Sequence, residues 1–353
     1  MKLSEIIEGI GGVDQGFIEQ ARERTARLVM PFRALGELHV IGEKLCGIQR
    51  TLLPSVQKKA FLVMAGDHGI AASGVSAYPQ VVTGEMVKTF LRGGAGINVL
   101  ARQIDAQVTV VDVGIIPDLD PETYSDRRLT VNKIAKGTNN FSKGPSMTKE
   151  QTEAAIMVGF EAAERLFNEG IEMLGTGDMG IGNTTPSSAV SSVITGARVE
   201  SVTGRGTGLD DDGLHRKCDV IRSAIELNNP EPNDALDVLS KVGGFEIGAI
   251  AGTVLAAAYF KKPVVIDGFI SGAGALIAYI LCPAVKDYMF ASHQSEEKGH
   301  KVILDHMGIS PILDLGMRLG EGTGAALAMS IIEAAARIIR EVFTFEEAGV
   351  SKE

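Results

Sequence analysis

Short apolar runs alternating with helix-length segments predict an α/β fold built on a parallel sheet. The runs lie at residues 60–65 (AFLVMA), 107–113 (QVTVVDV), 171–174 (IEML), 263–266 (PVVI) and 288–291 (YMFA). They are too short and too evenly apolar for surface helices and read as strands buried on both faces. Helical patterns separate them at 83–103, 148–168, 186–195, 210–227, 245–260 and 295–307, which is the alternation of an α/β domain. The residues after the strands are nearly all small or polar: GDHG at 66–69, DVG at 112–114, the glycine-rich stretch 175–185, DG at 267–268 and SHQS at 292–295. Ligands gather at the carboxyl ends of parallel strands, so this concentration marks a site.

The elements follow in order. To about residue 50 the chain is helical, with apolar spacing at Phe17, Ala21 and Leu28, then at Leu35, Leu38, Ile41, Leu45 and Ile48. Thr148 and Gln151 are spaced as a capping box, and Pro186 suits a first helical position. Residues 115–146 are polar and rich in Gly, Pro and Asn, and read as a long excursion. The segment 325–343 is again helical without strands. It is expected to join the N-terminal helices in a small helical subdomain (1–55 with 325–353) beside a large α/β catalytic domain (56–324). Residues 268–285 carry no charge; a core helix after a buried strand explains them better than a membrane span.

Composition narrows the partners. Of 353 residues, 45% are hydrophobic and 22% charged, which argues against disorder. A net charge of −10 argues against nucleic acid and anionic membrane, both of which reward a basic surface. Cys46, Cys218 and Cys282 are odd in number and widely spaced, as expected of reduced thiols in a cytoplasmic protein. The N-terminus has acids where a signal peptide has an apolar core.

The stretch 175–186 (GTGDMGIGNTTP) fits G-x-G-x-x-G after a strand, and Glu200 lies near the spacing of a ribose-binding acid. The loop nevertheless runs on to Pro186 before a helix can start. The same residues nearly spell a P-loop, with Asn183 where the lysine belongs, so the β/γ-phosphates lose their counter-charge. What remains is a Gly/Thr loop at a helix start, suited to one phosphate, or else a structural loop. GRGTG at 204–208 precedes a helix bearing Lys217, which reads either as a phosphate cation or as a solvated lysine. Asp67 and His68 end the first strand, but no spacing of histidines or carboxylates supports a metal site, and no cofactor is expected. SAYPQ at 76–80 suits the rim of an aromatic pocket or a plain loop. Glu321, between Gly320 and Gly322, is either a general base with a raised pKa or a helix N-terminal acid.

Taken together, the segments resemble the nicotinate-nucleotide–dimethylbenzimidazole phosphoribosyltransferase family. The matching stretches are AGDHG (65–69), GVSAYPQ (74–80), GGAGINVL (93–100), GDMGIGNTT (177–185), GRGTGL (204–209), GGFEI (243–247), DGFI (267–270) and LDLGMRLGEGTGA (313–325). They run in order from about residue 60 to the C-terminal region.

The resemblance implies a Rossmann-like sheet and transfer of phosphoribose from nicotinate mononucleotide to 5,6-dimethylbenzimidazole or a related base. It implies Glu321 as general base. Gly180, Gly182, Asn183, Thr184, Thr185, Gly206, Thr207, Lys217 and Ser295 would hold phosphate and ribose, and Tyr78, Gln80, Met317 and Leu319 would border the base. Asp178 stands where the family's loop carries glutamate, one methylene shorter, with a role near the ribosyl carbon. A homodimer is implied as well. The rivals are an NAD-dependent oxidoreductase using residues 175–180 and a non-catalytic nucleotide-binding regulatory protein.

Overall fold

A computed structural model describes residues 1–120 and 129–350. Seven strands are found there: β1 (Lys59–Gly66), β2 (Ala106–Gly114), β3 (Leu129–Val131), β4 (Met173–Met179), β5 (Val264–Ile266), β6 (Met289–His293) and β7 (Pro311–Leu313). They form one parallel sheet in the order β3-β2-β1-β4-β5-β6-β7. The chain winds outward from β1 to β3, returns, and winds the other way from β4, so the order reverses between β1 and β4. This is the Rossmann-like arrangement, and its crevice opens at that switch point.

Every residue of β1 is buried, as a strand covered on both faces requires. The helices Lys149–Asn168, Phe245–Tyr259 and Phe269–Leu281 form one group on the sheet, and Gly96–Gln103 with Thr323–Glu341 form a second. Lys149–Asn168 and Phe245–Tyr259 approach until their backbones touch. A side chain at Gly159 would strike the Ala249 carbonyl, and one at Gly252 would strike that of Ile156. Glycine is the residue that permits this contact.

The helices Gln15–Thr25 and Glu37–Gln49 pack on Thr323–Glu341, and Arg24 Nε donates to the Ile339 carbonyl at 2.7 Å. Glu43 is buried there, accepting from Thr25 Oγ1 at 2.7 Å and Arg33 at 3.0 Å. Leu3, Ile6, Ile41, Leu45 and Ile48 belong to the same apolar core as the sheet.

Several elements depart from the sequence expectation. The strand expected at 171–174 runs instead to Met179, through residues read as loop. Gly175 and Gly177 serve close packing there: the Phe61 ring fills the space beside one, and the backbone of Glu321 lies against the other. The helix expected at 83–103 is two, Val82–Leu91 and Gly96–Gln103, broken where Gly93 adopts φ +78°. The helix expected from Pro186 begins at Thr184, and the proline stands in its first turn, where the missing N–H has no intrahelical acceptor to lose. The helix expected from 295 begins at Lys298, because the residue before it is extended. Edge strands β3 and β7, three residues each, carried no readable pattern. β3 lies within the expected excursion, of which residues 121–128 fall outside the described ones. Residues 268–285 contain the buried helix Phe269–Leu281; among the described residues no helix is long and apolar enough to cross a membrane.

Candidate active site

A cavity of about 560 Å³ opens at the carboxyl ends of the central strands. Its floor is built by β4, whose last residues carry Asp178, and by the turn Gly180–Asn183 that starts the helix Thr184–Thr195. Asn183 Nδ2 donates to Asp178 Oδ2 at 3.0 Å. Gly206 and Thr207 come from the loop ahead of the helix Asp211–Asn228, Gly268 from the end of β5, and Ser295 and Glu297 from the end of β6. Glu321 reaches in from the turn before Thr323–Glu341.

That turn is unusual. Gly320, Glu321 and Gly322 are all left-handed, with φ of 82°, 65° and 103°. For glutamate this conformation is uncommon and marks a residue held by its surroundings. The holding groups are visible. Asp267 accepts the amides of Gly322 at 3.1 Å and Ala325 at 3.0 Å, capping the helix, and Thr323 N donates to the Gly320 carbonyl at 3.1 Å. Glu321 Oε2 accepts from Ile97 N at 3.1 Å, in the first turn of Gly96–Gln103.

The carboxyls crowd one another. Burial raises Glu321 above the ordinary carboxylate range, against the opposing pull of the Ile97 and Gly96 amides. Burial and then Asp267 raise Asp178 well above its usual value, and Asn183 only partly offsets them. Asp267 is pushed up to about 7 by burial, held back by its backbone donors. Beneath Gly180 lie His68 and Glu246, an ion pair of 2.9 Å with both side chains fully buried. Burial works against the charge on His68, but Glu246 overcomes it and raises the pKa.

Of the residues expected from sequence, Tyr78, Asp178, Gly180, Gly182, Asn183, Thr184, Gly206, Thr207, Ser295, Leu319 and Glu321 line the cavity. Gln80, Thr185, Lys217 and Met317 do not line it. Gln80 Nε2 donates to the His68 carbonyl at 3.1 Å, and Thr185 is fully buried in its helix. Met317 accepts Glu296 N at 3.0 Å through its carbonyl. Lys217 is fully buried and points its ammonium at Thr184 Oγ1, 2.7 Å away, and at the Gly204 carbonyl, 3.3 Å away. Burial pushes its pKa down to about 8, with Glu297 pulling it up. Thr207 Oγ1 accepts from Ala77 N at 2.9 Å and lies 3.1 Å from Ser76 Oγ, tying this loop to the Tyr78 segment.

Sequence reasoning missed Glu297, Arg318 and the His68–Glu246 pair. Arg318 lies between two residues that the resemblance had named, and Glu297 lies two beyond Ser295. The pair joins segments 178 residues apart, which no local pattern reveals. Glu200, the acid spaced for a dinucleotide ribose, instead pairs with Arg222 outside the cavity. With β4 continuing to Met179, the glycine fingerprint is not formed. Among the described residues, no three His, Cys, Asp or Glu side chains group to hold a metal ion.

A glycine-lined crevice at a sheet switch point, with a buried cation behind it and a raised carboxyl within it, defines an α/β enzyme for a phosphorylated metabolite. The chain belongs to the phosphoribosyltransferase family whose profile matches residues 10–350. It is 54% identical over 350 residues to the nicotinate-nucleotide–dimethylbenzimidazole phosphoribosyltransferase of Desulforudis audaxviator, covering 99% of this chain and 98% of the relative. It is 52% identical to the enzyme of that name from Geotalea uraniireducens, with the same coverage. The crystal structure of CobT from Thermus thermophilus superposes with a TM-score of 0.91 at 44% identity, over 96% of this chain and all of that one. The chain is thus a phosphoribosyltransferase; nothing in these likenesses supports the oxidoreductase or the non-catalytic reading.

Proposed function

We propose that the enzyme transfers phosphoribose from nicotinate mononucleotide to 5,6-dimethylbenzimidazole or a related base, releasing nicotinate and an α-ribazole 5′-phosphate for cobalamin nucleotide-loop assembly. The observation that carries this reading is Glu321: a raised carboxyl on a strained turn, in the same cavity as the glycine loops that Lys217 backs.

The chemistry balances without a further reagent. One benzimidazole nitrogen attacks ribosyl C1′ from the face opposite the pyridinium. The C1′–N bond breaks, its electron pair returns to the ring, and nicotinate leaves with no proton needed. The other benzimidazole nitrogen gives its proton to Glu321. A β-nucleotide thereby becomes an α-ribotide, as single displacement with inversion demands. Holding acceptor and donor in one cavity supplies the alignment. Asp178 sits against the same turn, its Oδ1 3.3 Å from where a Cβ at Gly320 would lie. A cation beside Asp178 favours its ionised form, so the pyridinium substrate itself draws out the charge that steadies a developing oxocarbenium ion.

The enzyme acts, in this reading, as a cytoplasmic homodimer that binds no nucleic acid. The exposed side chains of Tyr78 and Leu319 at the cavity suit cover by a second copy, and the three cysteines are free thiols. Sedimentation of a monomer at working concentration would remove the dimer from this picture.

The test is mass-resolved product analysis after incubation with nicotinate mononucleotide and dimethylbenzimidazole, adenine or phenol. An α-ribotide equimolar with nicotinate is expected, and the acceptor ranking names the base. Tight nucleotide binding with no product on any acceptor would overturn the assignment.

A further inference from the structure

One carboxylate stands where an anionic ligand should. Glu297 is 8% exposed and lines the cavity, yet its Oε1 accepts the amide of Gly206 at 3.1 Å. The carboxylate is packed so closely on Gly204 that any side chain there would collide with it. Its Oε2 has no hydrogen-bond partner among the described residues. Gly206 is left-handed at φ 52°, and a Cβ on it would lie 3.4 Å from Lys217 Nζ and 2.8 Å from Thr184 Oγ1. The Gly206 amide, Thr184 hydroxyl and Lys217 ammonium converge as a phosphate site should, and Glu297 has taken the amide.

We infer that Glu297 is a place-holding anion, competing with the substrate's phosphate for the Gly206 amide and the field of Lys217. A fully buried ammonium needs a counter-charge, and Glu297 supplies it until a phosphate does. Two anions cannot share one amide, so phosphate binding must swing the carboxylate aside. Glu297 thus keeps the buried ammonium paired while the site is empty, and a phosphomonoester can displace it because it brings more charge and more acceptors. The inference rests on the phosphate being held by the 204–208 loop, as the proposed function has it.

The test is calorimetric titration of inorganic phosphate into the wild type and Glu297→Gln, with nicotinate mononucleotide turnover measured alongside. The glutamine variant is expected to bind phosphate about tenfold more tightly, the effect of removing one nearby like charge. Equal or weaker binding overturns the inference, as does phosphate that binds neither protein. If the variant does not fold, a crystal structure of the wild type with phosphate decides: the carboxylate off Gly206 supports the role, and phosphate bound with Glu297 still on that amide refutes it. Absent turnover with tightened phosphate binding would sink the functional reading while leaving Glu297 its place.

Discussion

Glu321 accepts the amide of Ile97, a residue 224 positions earlier, and so fastens the turn before the last long helix to the first turn of another. The same carboxylate that faces the cavity is therefore anchored by a helix N-terminus, which aims it without neutralising it. Burial raises its pKa and the amides moderate the rise, leaving a base that is stronger than an ordinary carboxylate.

Replacing Glu321 by glutamine keeps the anchor acceptor and removes the base. Turnover number is expected to fall by about 10²–10⁴-fold with the KM for nicotinate mononucleotide nearly unchanged. In the wild type, kcat/KM should decline on the acid side with an apparent pKa above the ordinary value of 4.5, since the base works only when deprotonated. Steady-state kinetics across pH checks both; an unchanged kcat would deny Glu321 the role.

Asp178→Asn preserves shape while deleting the charge that the proposed function sets near the ribosyl carbon. A loss of about 10²-fold in kcat is expected, with nucleotide affinity retained. Comparing kcat with the dissociation constant separates this from a binding defect, and a loss confined to affinity would reassign the residue.

Lys217→Met should cost function and remove a pH dependence of stability. A lysine whose folded pKa is about 8, below its ordinary 10.5, penalises folding wherever it is charged. The penalty is fully present below pH 8 and is relieved as pH rises from 8 to 10.5. The methionine variant sheds that penalty but leaves Glu297 without its cation, so what it should lose is the pH dependence: the wild type should gain stability relative to the variant as pH rises from 8 to 10.5. Its KM for the nucleotide should rise steeply. Urea unfolding of both proteins at pH 7 and pH 10 tests the sign, and a wild type that gains nothing on the variant over this range would contradict the burial argument.

Gly322→Ala places a methyl group on a backbone at φ 103°, with the Thr176 carbonyl and the Phe61 ring at 3.2 Å. The cost should be about 1–3 kcal/mol of stability. Because the neighbouring residue is Glu321, kcat should fall as well. Thermal unfolding and kinetics measured together decide it: full stability and full activity would show that the turn has slack.

Much of the site could be read from sequence because strand ends announce themselves chemically. Asp178, Asn183, Gly268 and Ser295 sit in small or polar segments after buried runs, and each reached the cavity wall. The central strands β1 and β2 were equally legible, β1 from its apolar run at 60–65 and β2 from its valines at 108, 110, 111 and 113. β4 was misplaced because its glycines mimic a loop; their reason is Phe61 and the 320–322 turn, which pack against them from distant parts of the chain. β3 and β7 were hidden because three edge residues carry too little periodicity. Glu297 was missed for a different reason. Its meaning lies wholly in the loop across from it, and no spacing within residues 292–298 hints at Gly206.

Thr207 Oγ1 accepts from Ala77 N and pairs with Ser76 Oγ, joining the 204–208 loop to the segment carrying Tyr78. Under the proposed function, donor and acceptor are therefore expected to bind as coupled guests. Whatever factor the nucleotide changes in the affinity of the base, the base must return in the affinity of the nucleotide, because the two equilibria close one thermodynamic cycle. A hydroxyl that looks like simple loop glue is then expected to be the link through which one substrate learns that the other has arrived.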